Sequence, residues 1–336
     1  MLLSSGSKEK SQFKLITSHD WSDRFNVFTM ACCKKQLKTI FIVLLSTTIC
    51  TVTINKFPYE LIARSLMNNR IAEHMFHRDP CACVERCLAA SRDPWFLELF
   101  RGDIPPLLSR ENSNISDDIF NWWQGHYRDA GSHRCRTCAV VGNSGNLLGS
   151  KYGLLIDNHE FVMRMNKAPI EGFEKDVGSR TTHRIMYPET ATHLDNSTHL
   201  LLLPFKTLDI QWVTSALSDG SIKRTRFKVI DKLRADKNKA MVMHPAFMYY
   251  VHNTWLHIGS QRSYPSTGFL VLMFALHVCD EISVFGFGAN TKGTWHHYFE
   301  SMPQKFRLTG HHPGQAEHEI ISELQQRKLI TLYTGW

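Results

Sequence analysis

The sequence predicts an α/β fold in which helices flank a mostly parallel sheet, and three observations support this prediction. After residue 135, short apolar runs alternate with longer helical patterns, as in strands joined by crossover helices. One run, HLLLLPF at 199–205, is continuously apolar, which is typical of a strand buried on both faces. Asparagine or glycine closes several of the runs, at Asn143, Asn166 and Gly288. Ligands of such sheets bind outside the carboxyl ends of the strands, where these residues lie.

The individual elements follow from local patterns. Two of the helices are marked most clearly: Ser266 and Thr267 are candidate N-caps before a long apolar segment, and 314–329 has amphipathic spacing. The first predicted elements are helical packing segments at DPWFLELF and IFNWW, followed by strands at CAVVGN, FVMRMN and HLLLLPF. AMVMHP then leads into a helical segment, AFMYYVHNTWLHI, and the next helix is STGFLVLMFALHVC. The strand EISVFGFGA and the helix GQAEHEIISELQQRKL come next, and ITLYT closes the chain.

Composition favours a globular protein with an anionic partner. The chain has 336 residues, 43% of them apolar and 21% charged, with a net charge of +8. A basic balance suits nucleic acid, lipid headgroups or an acidic substrate. The basic residues form no long runs and no nucleic-acid-binding signature occurs, so nucleic acid is not predicted as a partner.

An uncharged run near the start predicts a membrane anchor. Residues 39–55 carry no charge, and Lys38 and Lys56 bracket them. Lysines 34, 35 and 38 precede the run, which places the N-terminus in the cytosol. A cleaved signal peptide is less favoured because the leader is long and no A-x-A-like site follows. The predicted organisation is a cytosolic tail at 1–38, a signal anchor at 39–55, a stem at 56–80 and a folded luminal domain at 81–336.

Six cysteines belong to the predicted luminal part, and an even number in an oxidising compartment predicts three disulfides. The pair Cys135-x-x-Cys138 precedes a strand, whereas a redox pair usually opens a helix. A zinc site would need a second pair of matching spacing, which CACVERC does not supply. We therefore predict that these two cysteines belong to different disulfides, whose connectivity spacing does not fix. The sequons at Asn114 and Asn196 are candidate glycosylation sites.

Two histidine pairs are the most informative chemical feature. TWHHYFE contains His296 and His297, and TGHHPGQAEHE contains His311 and His312 followed by Glu317. These histidines could form a metal site, perform acid–base chemistry, or cap helices and bond carbonyls in loops. No D-x-D occurs, so the usual metal-binding signature of nucleotide-sugar transferases is missing.

Four segments in order resemble the motifs of animal sialyltransferases. CAVVGNSGNLLGSKYGLLIDNHEFVMRMNKAPIEGFEKDVGSRTTHRIMYPE is similar to their large motif, and HPAFMYYVHNTWLHIGSQRSYPSTGFLVLMFALHVCDEISVFGFGA to their small motif. HHYFE resembles the third motif, and His312 with Glu317 matches the H-x4-E very small motif. YPSTG, GFGA and TWHHYFE are most similar to the α2,3-sialyltransferases that act on Galβ1,3GalNAc.

The resemblance implies a Rossmann-like variant of the GT-A fold, stapled by disulfides, and an inverting, metal-independent reaction. Sialic acid would pass from CMP-sialic acid to the galactose 3-hydroxyl of Galβ1,3GalNAc on O-glycans and gangliosides. His312 would be the general base, and His297 would bond the departing phosphate. The enzyme would be a single-pass type II protein of the Golgi membrane and would form a homo-oligomer.

The resemblance also implies roles for further residues. Asn143, Ser144 and Asn166 would hold the nucleotide, with Tyr187 at its phosphate and Tyr264 at the acceptor galactose. Glu317 would support His312, or would cap its own helix. The remaining implied assignments are donor contacts from Ser266, Thr267, Gly268 and Gly288, an acceptor contact from Gln124, and the disulfides Cys138–Cys279, Cys83–Cys135 and Cys81–Cys87.

Two other hypotheses have sequence support. The stretch between Trp123 and Cys135, QGHYRDAGSHR, is much shorter than the corresponding family segment, which usually forms part of the acceptor wall. A non-catalytic relative that binds nucleotide or glycan is therefore an alternative. The paired histidines support a third hypothesis, a zinc-dependent luminal hydrolase.

Overall fold

The computed structural model describes residues 83, 87–88, 91–109, 135–257, 263–289, 293, 295–300 and 312–335. The chain divides into two units, Met1–Thr53 and Ile54–Trp336, and every described residue belongs to the second. The predicted tail, anchor and stem lie outside the described residues, as do IFNWW and the short segment after Trp123. Among the helices of the described ranges, none combines the length and apolarity that crossing a bilayer requires.

Seven parallel strands form one sheet, which confirms the predicted fold class. The strands are β1 (Thr137–Val141), β2 (Phe161–Met165), β3 (His183–Met186), β4 (His199–Leu202), β5 (Ala240–Val242), β6 (Glu281–Phe285) and β7 (Thr331–Tyr333). Their order across the sheet is β5-β4-β3-β2-β1-β6-β7, and every neighbouring pair is parallel. The order reverses between β1 and β6, and in open α/β sheets ligands bind at the carboxyl edge beside such a switch point.

Helices cover both faces of the sheet. They are α1 (Pro94–Leu99), α2 (Gly153–Asp157), α3 (Glu174–Val177), α4 (Thr207–Ala216), α5 (Pro245–Tyr250), α6 (Thr267–Val278) and α7 (Gly314–Gln326). Side chains of β1 alternate between two cores, with Cys138 and Val140 facing α6 and Ala139 and Val141 facing the opposite layer. Helix α6 is buried along its length from Phe269 to Val278, which explains its continuous apolar sequence.

Most predicted elements are present, and the differences have identifiable causes. The pattern at 246–258 predicts one helix, but α5 ends at Tyr250 and a π-helical turn, Val251–Trp255, continues it. Strand β3 was missed because its sequence, HRIM, starts with two basic residues. Both His183 and Arg184 are nevertheless buried. Helices α2, α3 and α4 were also missed; the first two have only one turn each.

The two cysteines of the C-x-x-C pair belong to different disulfides, as predicted. Cys135 is bonded to Cys83, and Cys138 is bonded to Cys279. The second bond joins β1 to the residue that follows α6, across 141 residues of sequence. Cys87 is also disulfide-bonded, but Cys81, which we expected as its partner, lies outside the described residues.

Buried histidine at the amino end of the sheet makes stability depend on pH. The His183 ring stacks on His199 of β4, with centroids 4.8 Å apart, and its Nδ1 contacts the Thr182 hydroxyl at 2.8 Å. Burial lowers the pKa of His183 well below its usual value, and the neighbouring His199 and Arg136 act in the same direction. The unfolded chain therefore takes up this proton at a higher pH than the folded one.

We expect the melting temperature to fall as pH decreases below about 6.5, the ordinary histidine pKa, because protonation then favours the unfolded chain. Thermal unfolding between pH 7.5 and 5.5 measures this slope for the wild type and for His183→Gln. The variant should show a shallower slope, and equal slopes would contradict the assignment.

Candidate active site

The loops after β1 and β6 are joined directly at the switch point. The Gly142 amide donates to the Phe285 carbonyl at 2.7 Å, and the Ser144 amide donates to the Gly286 carbonyl at 3.0 Å. The Ser144 hydroxyl donates to the Gly288 carbonyl at 2.7 Å. Two of the predicted donor-binding residues, Ser144 and Gly288, are therefore in contact although they are far apart in sequence.

Close backbone packing explains the glycine at the end of β1. A Cβ atom on Gly142 would lie 2.2 Å from the Gly286 carbonyl oxygen and 2.9 Å from the Phe287 ring. The oxygen belongs to a backbone that β6 fixes, so the neighbour has little freedom to move.

The Gly142→Ala substitution is therefore expected to destabilise the fold by about 1–3 kcal/mol or more, the usual cost of forcing atoms into a packed interior. Gly102→Ala is the matched control, because the nearest atom to its added Cβ is at 3.4 Å, an ordinary contact. Denaturant unfolding of both variants measures the difference. Equal denaturant midpoints for the two variants would show that the loops after β1 and β6 accommodate the added methyl group without loss of stability.

The third motif pairs with the loop after β1. The Gly145 amide donates to the His296 carbonyl at 2.7 Å, and the Tyr298 amide donates to the Asn143 carbonyl at 2.9 Å. This bridge places His297 beside Ser144. The side-chain oxygen Oδ1 of Asn143 is buried and accepts no hydrogen bond from the described protein atoms. A buried acceptor without a donor is suited to a ligand hydroxyl or amino group.

His297 has an acidic partner that the sequence analysis missed. Its Nδ1 lies 2.8 Å from Oε1 of Glu300, and its ring stacks on Phe299 with centroids 5.1 Å apart. The partner carboxylate only accepts hydrogen bonds, so Nδ1 carries the proton. The spacing H-x-x-E in the sequence was the available signal for this pair.

Asn166 follows β2 in a left-handed backbone conformation, with φ of 52°. Its amide N–H donates to the Ile185 carbonyl at 2.7 Å, and its side-chain oxygen accepts from the Thr190 hydroxyl at 2.7 Å. Thr190 belongs to a single turn, Pro188–Thr190, that follows β3 and Tyr187. Asn166 and Tyr187 thus end neighbouring strands at the same edge.

A row of aromatic rings links Tyr187 to His312. Tyr187 contacts Phe205 with centroids 5.8 Å apart, Phe205 contacts Tyr264 at 6.4 Å, and Tyr264 contacts His312 edge-on at 4.8 Å. Phe205 was missed by the sequence analysis. The carboxylate of Asp209 accepts from the Phe205 amide at 2.9 Å, and this bond holds the residue at the start of α4.

The hydrogen bond of His312 determines which ring nitrogen can act as a base. Its Nδ1 lies 3.1 Å from the carbonyl oxygen of Tyr264. A carbonyl oxygen only accepts, so Nδ1 carries the proton and the neutral ring has its acceptor lone pair on Nε2. Tyr264 is 37% exposed, so it is a surface residue beside His312 and not part of the core.

Glu317 joins the start of α7 to the start of α6. Its two carboxylate oxygens accept from the Ser266 amide and the Ser266 hydroxyl, each at 2.6 Å. Burial raises the pKa of Glu317, while the Ser266 hydrogen bonds and the charge of His312 act in the opposite direction. The carboxylate is thus bonded to another helix and does not cap its own.

Ser266 is the N-cap of α6, and its hydroxyl accepts from the Phe269 amide at 3.1 Å. Thr267, the second candidate, is the first residue of the helix. A Cβ atom on Gly268 would lie 3.0 Å from the Phe287 ring, so the loop after β6 packs against the start of α6. Gly288 lies close to His318 of α7.

Some predicted site residues are not brought together or are not described. Gln124, Asn114 and His311 lie outside the described residues. Asn196 is exposed in the turn before β4. Within the described ranges, the one group of potential metal ligands is Cys83, Cys135 and Glu281, and a disulfide occupies both sulfurs.

Comparison with known proteins identifies the family. The profile of glycosyltransferase family 29 (sialyltransferase) matches residues 99–329. The chain belongs to this family. It is a glycosyltransferase of the sialyltransferase class, and the zinc-hydrolase hypothesis is set aside.

Individual members of family 29 are similar over most of the chain. The mouse CMP-N-acetylneuraminate-beta-galactosamide-alpha-2,3-sialyltransferase 2 is 46% identical over 284 residues, which cover 76% of this chain and 80% of the relative. The human CMP-N-acetylneuraminate-beta-galactosamide-alpha-2,3-sialyltransferase 1 is 39% identical over 307 residues, which cover 83% of this chain and 89% of the relative. The fold is also similar to that in a crystal structure of a mammalian sialyltransferase in complex with Gal-beta-1-3GalNAc-ortho-nitrophenol. The two chains superpose with a TM-score of 0.66 and are 40% identical, and the match covers 76% of this chain and 100% of the sialyltransferase chain.

Proposed function

We propose that this family 29 member transfers sialic acid from CMP-sialic acid to the 3-hydroxyl of the terminal galactose in Galβ1,3GalNAc. The acceptors would be glycoproteins and glycolipids, and the reaction would invert the anomeric centre without a metal. The observation that carries the proposal is the hydrogen bond from His312 Nδ1 to Tyr264, which leaves Nε2 as the basic nitrogen. The acceptor assignment also draws on the named relatives, which are beta-galactosamide alpha-2,3-sialyltransferases.

In the proposed mechanism, Nε2 of His312 removes the proton from the galactose 3-hydroxyl. The oxygen then forms a bond to the anomeric carbon of sialic acid as the bond from that carbon to the CMP phosphate oxygen breaks. Attack from the face opposite the leaving group produces inversion. Removal of the acceptor proton during attack makes the oxygen a better nucleophile.

The reaction also requires groups that stabilise the negative charge on the departing CMP phosphate. A protonated His297 has two N–H donors, one for Glu300 and one for the phosphate. The N-terminus of the twelve-residue helix α6 adds a favourable partial charge near the same loops. The buried Oδ1 of Asn143 would accept from a ribose hydroxyl or the cytosine amino group.

The proposal includes the membrane attachment and the cellular compartment of the enzyme. A type II anchor at 39–55 would place residues 81–336 in the Golgi lumen, where the disulfides of Cys135 and Cys138 are stable. Homo-oligomerisation belongs to the same proposal and is measured by light scattering of the purified chain.

The test is sialyl transfer by the detergent-solubilised full-length chain, with a chelator present throughout. The acceptor is Galβ1,3GalNAc, and the matched control is the same disaccharide with a 3-deoxygalactose. Transfer to the first and not to the second supports the proposal, and loss of activity with the chelator overturns its metal independence. Binding of CMP without any transfer would instead support the non-catalytic alternative that the short segment after Trp123 suggests.

A further inference from the structure

Asn166 is held by two separate sets of contacts, one for its backbone and one for its side chain. The backbone N–H donates to the Ile185 carbonyl at 2.7 Å, and the backbone carbonyl accepts from Nη1 of Arg184 at 3.3 Å. Arg184 also donates to the Ala168 carbonyl at 3.0 Å. These bonds stabilise the left-handed conformation of Asn166, which asparagine adopts more readily than most residues.

The side chain of Asn166 is oriented by Thr190 alone among the described contacts. The Thr190 hydroxyl lies 2.7 Å from Asn166 Oδ1, 3.1 Å from the Tyr187 carbonyl and 3.2 Å from the Tyr187 amide nitrogen. The Tyr187 amide N–H donates to the Thr190 hydroxyl oxygen. The single hydroxyl proton of Thr190 therefore goes either to Asn166 Oδ1 or to the Tyr187 carbonyl oxygen. The 2.7 Å distance is the preferred one for O–H···O, which assigns the proton to Asn166.

We propose that Thr190 is a positioning residue that fixes the amide orientation of Asn166 for donor binding, an inference that rests on the proposed function. When Oδ1 is bonded to Thr190, the amide has its two Nδ2 hydrogens as donors for a ligand. The ligand of this edge is an anionic nucleotide, whose phosphate and ribose oxygens accept hydrogen bonds. If the Asn166 amide were flipped, Oδ1 would face the phosphate and ribose oxygens of the nucleotide, and the two acceptors would repel each other.

The turn that carries Thr190 is also held by bonds that do not involve its hydroxyl. The Glu189 carboxylate accepts from the Thr225 hydroxyl and from the Arg226 amide, the latter at 3.2 Å. The Thr190 backbone amide itself donates to the Tyr187 carbonyl at 2.9 Å. Removal of the hydroxyl therefore releases the Asn166 side chain and takes the acceptor from the Tyr187 amide, while the remaining bonds of the turn and of the Asn166 backbone are kept.

The experiment measures the Kd of CMP by calorimetry, and the KM values for CMP-sialic acid and acceptor, with the full-length chain. Thr190→Val is expected to weaken CMP binding about tenfold, in line with one lost hydrogen bond, and to raise the donor KM with the acceptor KM unchanged. Thr190→Ser, which keeps the hydroxyl, should restore both values. In the Asn166→Ala background, Thr190→Val should have no further effect on the Kd, because its partner is gone.

Asn166→Asp tests the orientation without altering Thr190. The carboxylate still accepts from the threonine but offers the nucleotide only oxygens, so CMP binding should be lost. Wild-type affinity in Thr190→Val or in Asn166→Asp would overturn the inference, as would an undiminished Thr190→Val effect in the Asn166→Ala background. Absence of CMP binding by the unmodified chain would overturn the proposed function itself, which distinguishes the two failures.

Discussion

The His312→Asn substitution is expected to lower kcat for sialyl transfer by about 10²- to 10⁴-fold, the usual contribution of a general base. Asparagine can still donate from its side-chain amide to the Tyr264 carbonyl, so the local structure is kept. It offers no nitrogen that takes up a proton. The Kd for CMP should change little, because the base acts on the acceptor hydroxyl and not on the nucleotide.

Steady-state kinetics and calorimetric CMP binding measure the two quantities. His257→Asn is the matched control: His257 is exposed and has a positive φ of 45°, which asparagine tolerates. The control should retain wild-type kcat. A His312→Asn enzyme with wild-type kcat would assign proton removal to another group.

The Glu317→Ala substitution is expected to destabilise the fold by about 3 kcal/mol. It removes two hydrogen bonds to a buried carboxylate and leaves the Ser266 amide without its acceptor. Glu317→Gln should cost less, because its amide oxygen can still accept from the Ser266 amide. The loss in Glu317→Ala corresponds to a melting temperature lower by about 6–12 °C for a domain of this size.

Calorimetric melting of Glu317→Ala, Glu317→Gln and Glu319→Ala measures the series. Glu319 lies on the same helix but is exposed, so its replacement should change stability by no more than about 0.5 kcal/mol. If Glu317→Ala melts at the same temperature as Glu319→Ala, the bond between α6 and α7 does not stabilise the fold.

The sequence predicts elements well where burial and residue type agree. Helix α6 is apolar on all sides and begins at a serine N-cap, so both its position and its start are predictable. Strand β3 is the opposite case, because His183 and Arg184 are buried in spite of their polarity. Only the neighbouring strands show that these side chains lie inside.

The candidate site shows a similar division. His297, His312 and Glu317 are visible in the sequence because their spacing matches known motifs. Phe205, which lies in the row of aromatic rings, is not visible in this way. Phe205 contacts Tyr264 only because α4 and α6 start at the same edge of the sheet, and such a long-range contact has no local signature.

The bond between Cys138 and Cys279 has a consequence for biosynthesis. A ribosome adds about 5–20 residues per second, so the chain reaches Cys279, 141 positions after Cys138, roughly 7–30 s later. During that interval β1 already has β2 available but lacks β6, its other neighbour. Cys138 has no native partner during this interval, whereas Cys83, the partner of Cys135, has already been made. The bond between Cys138 and Cys279 can therefore form only after the chain has been made as far as Cys279, which one residue separates from β6.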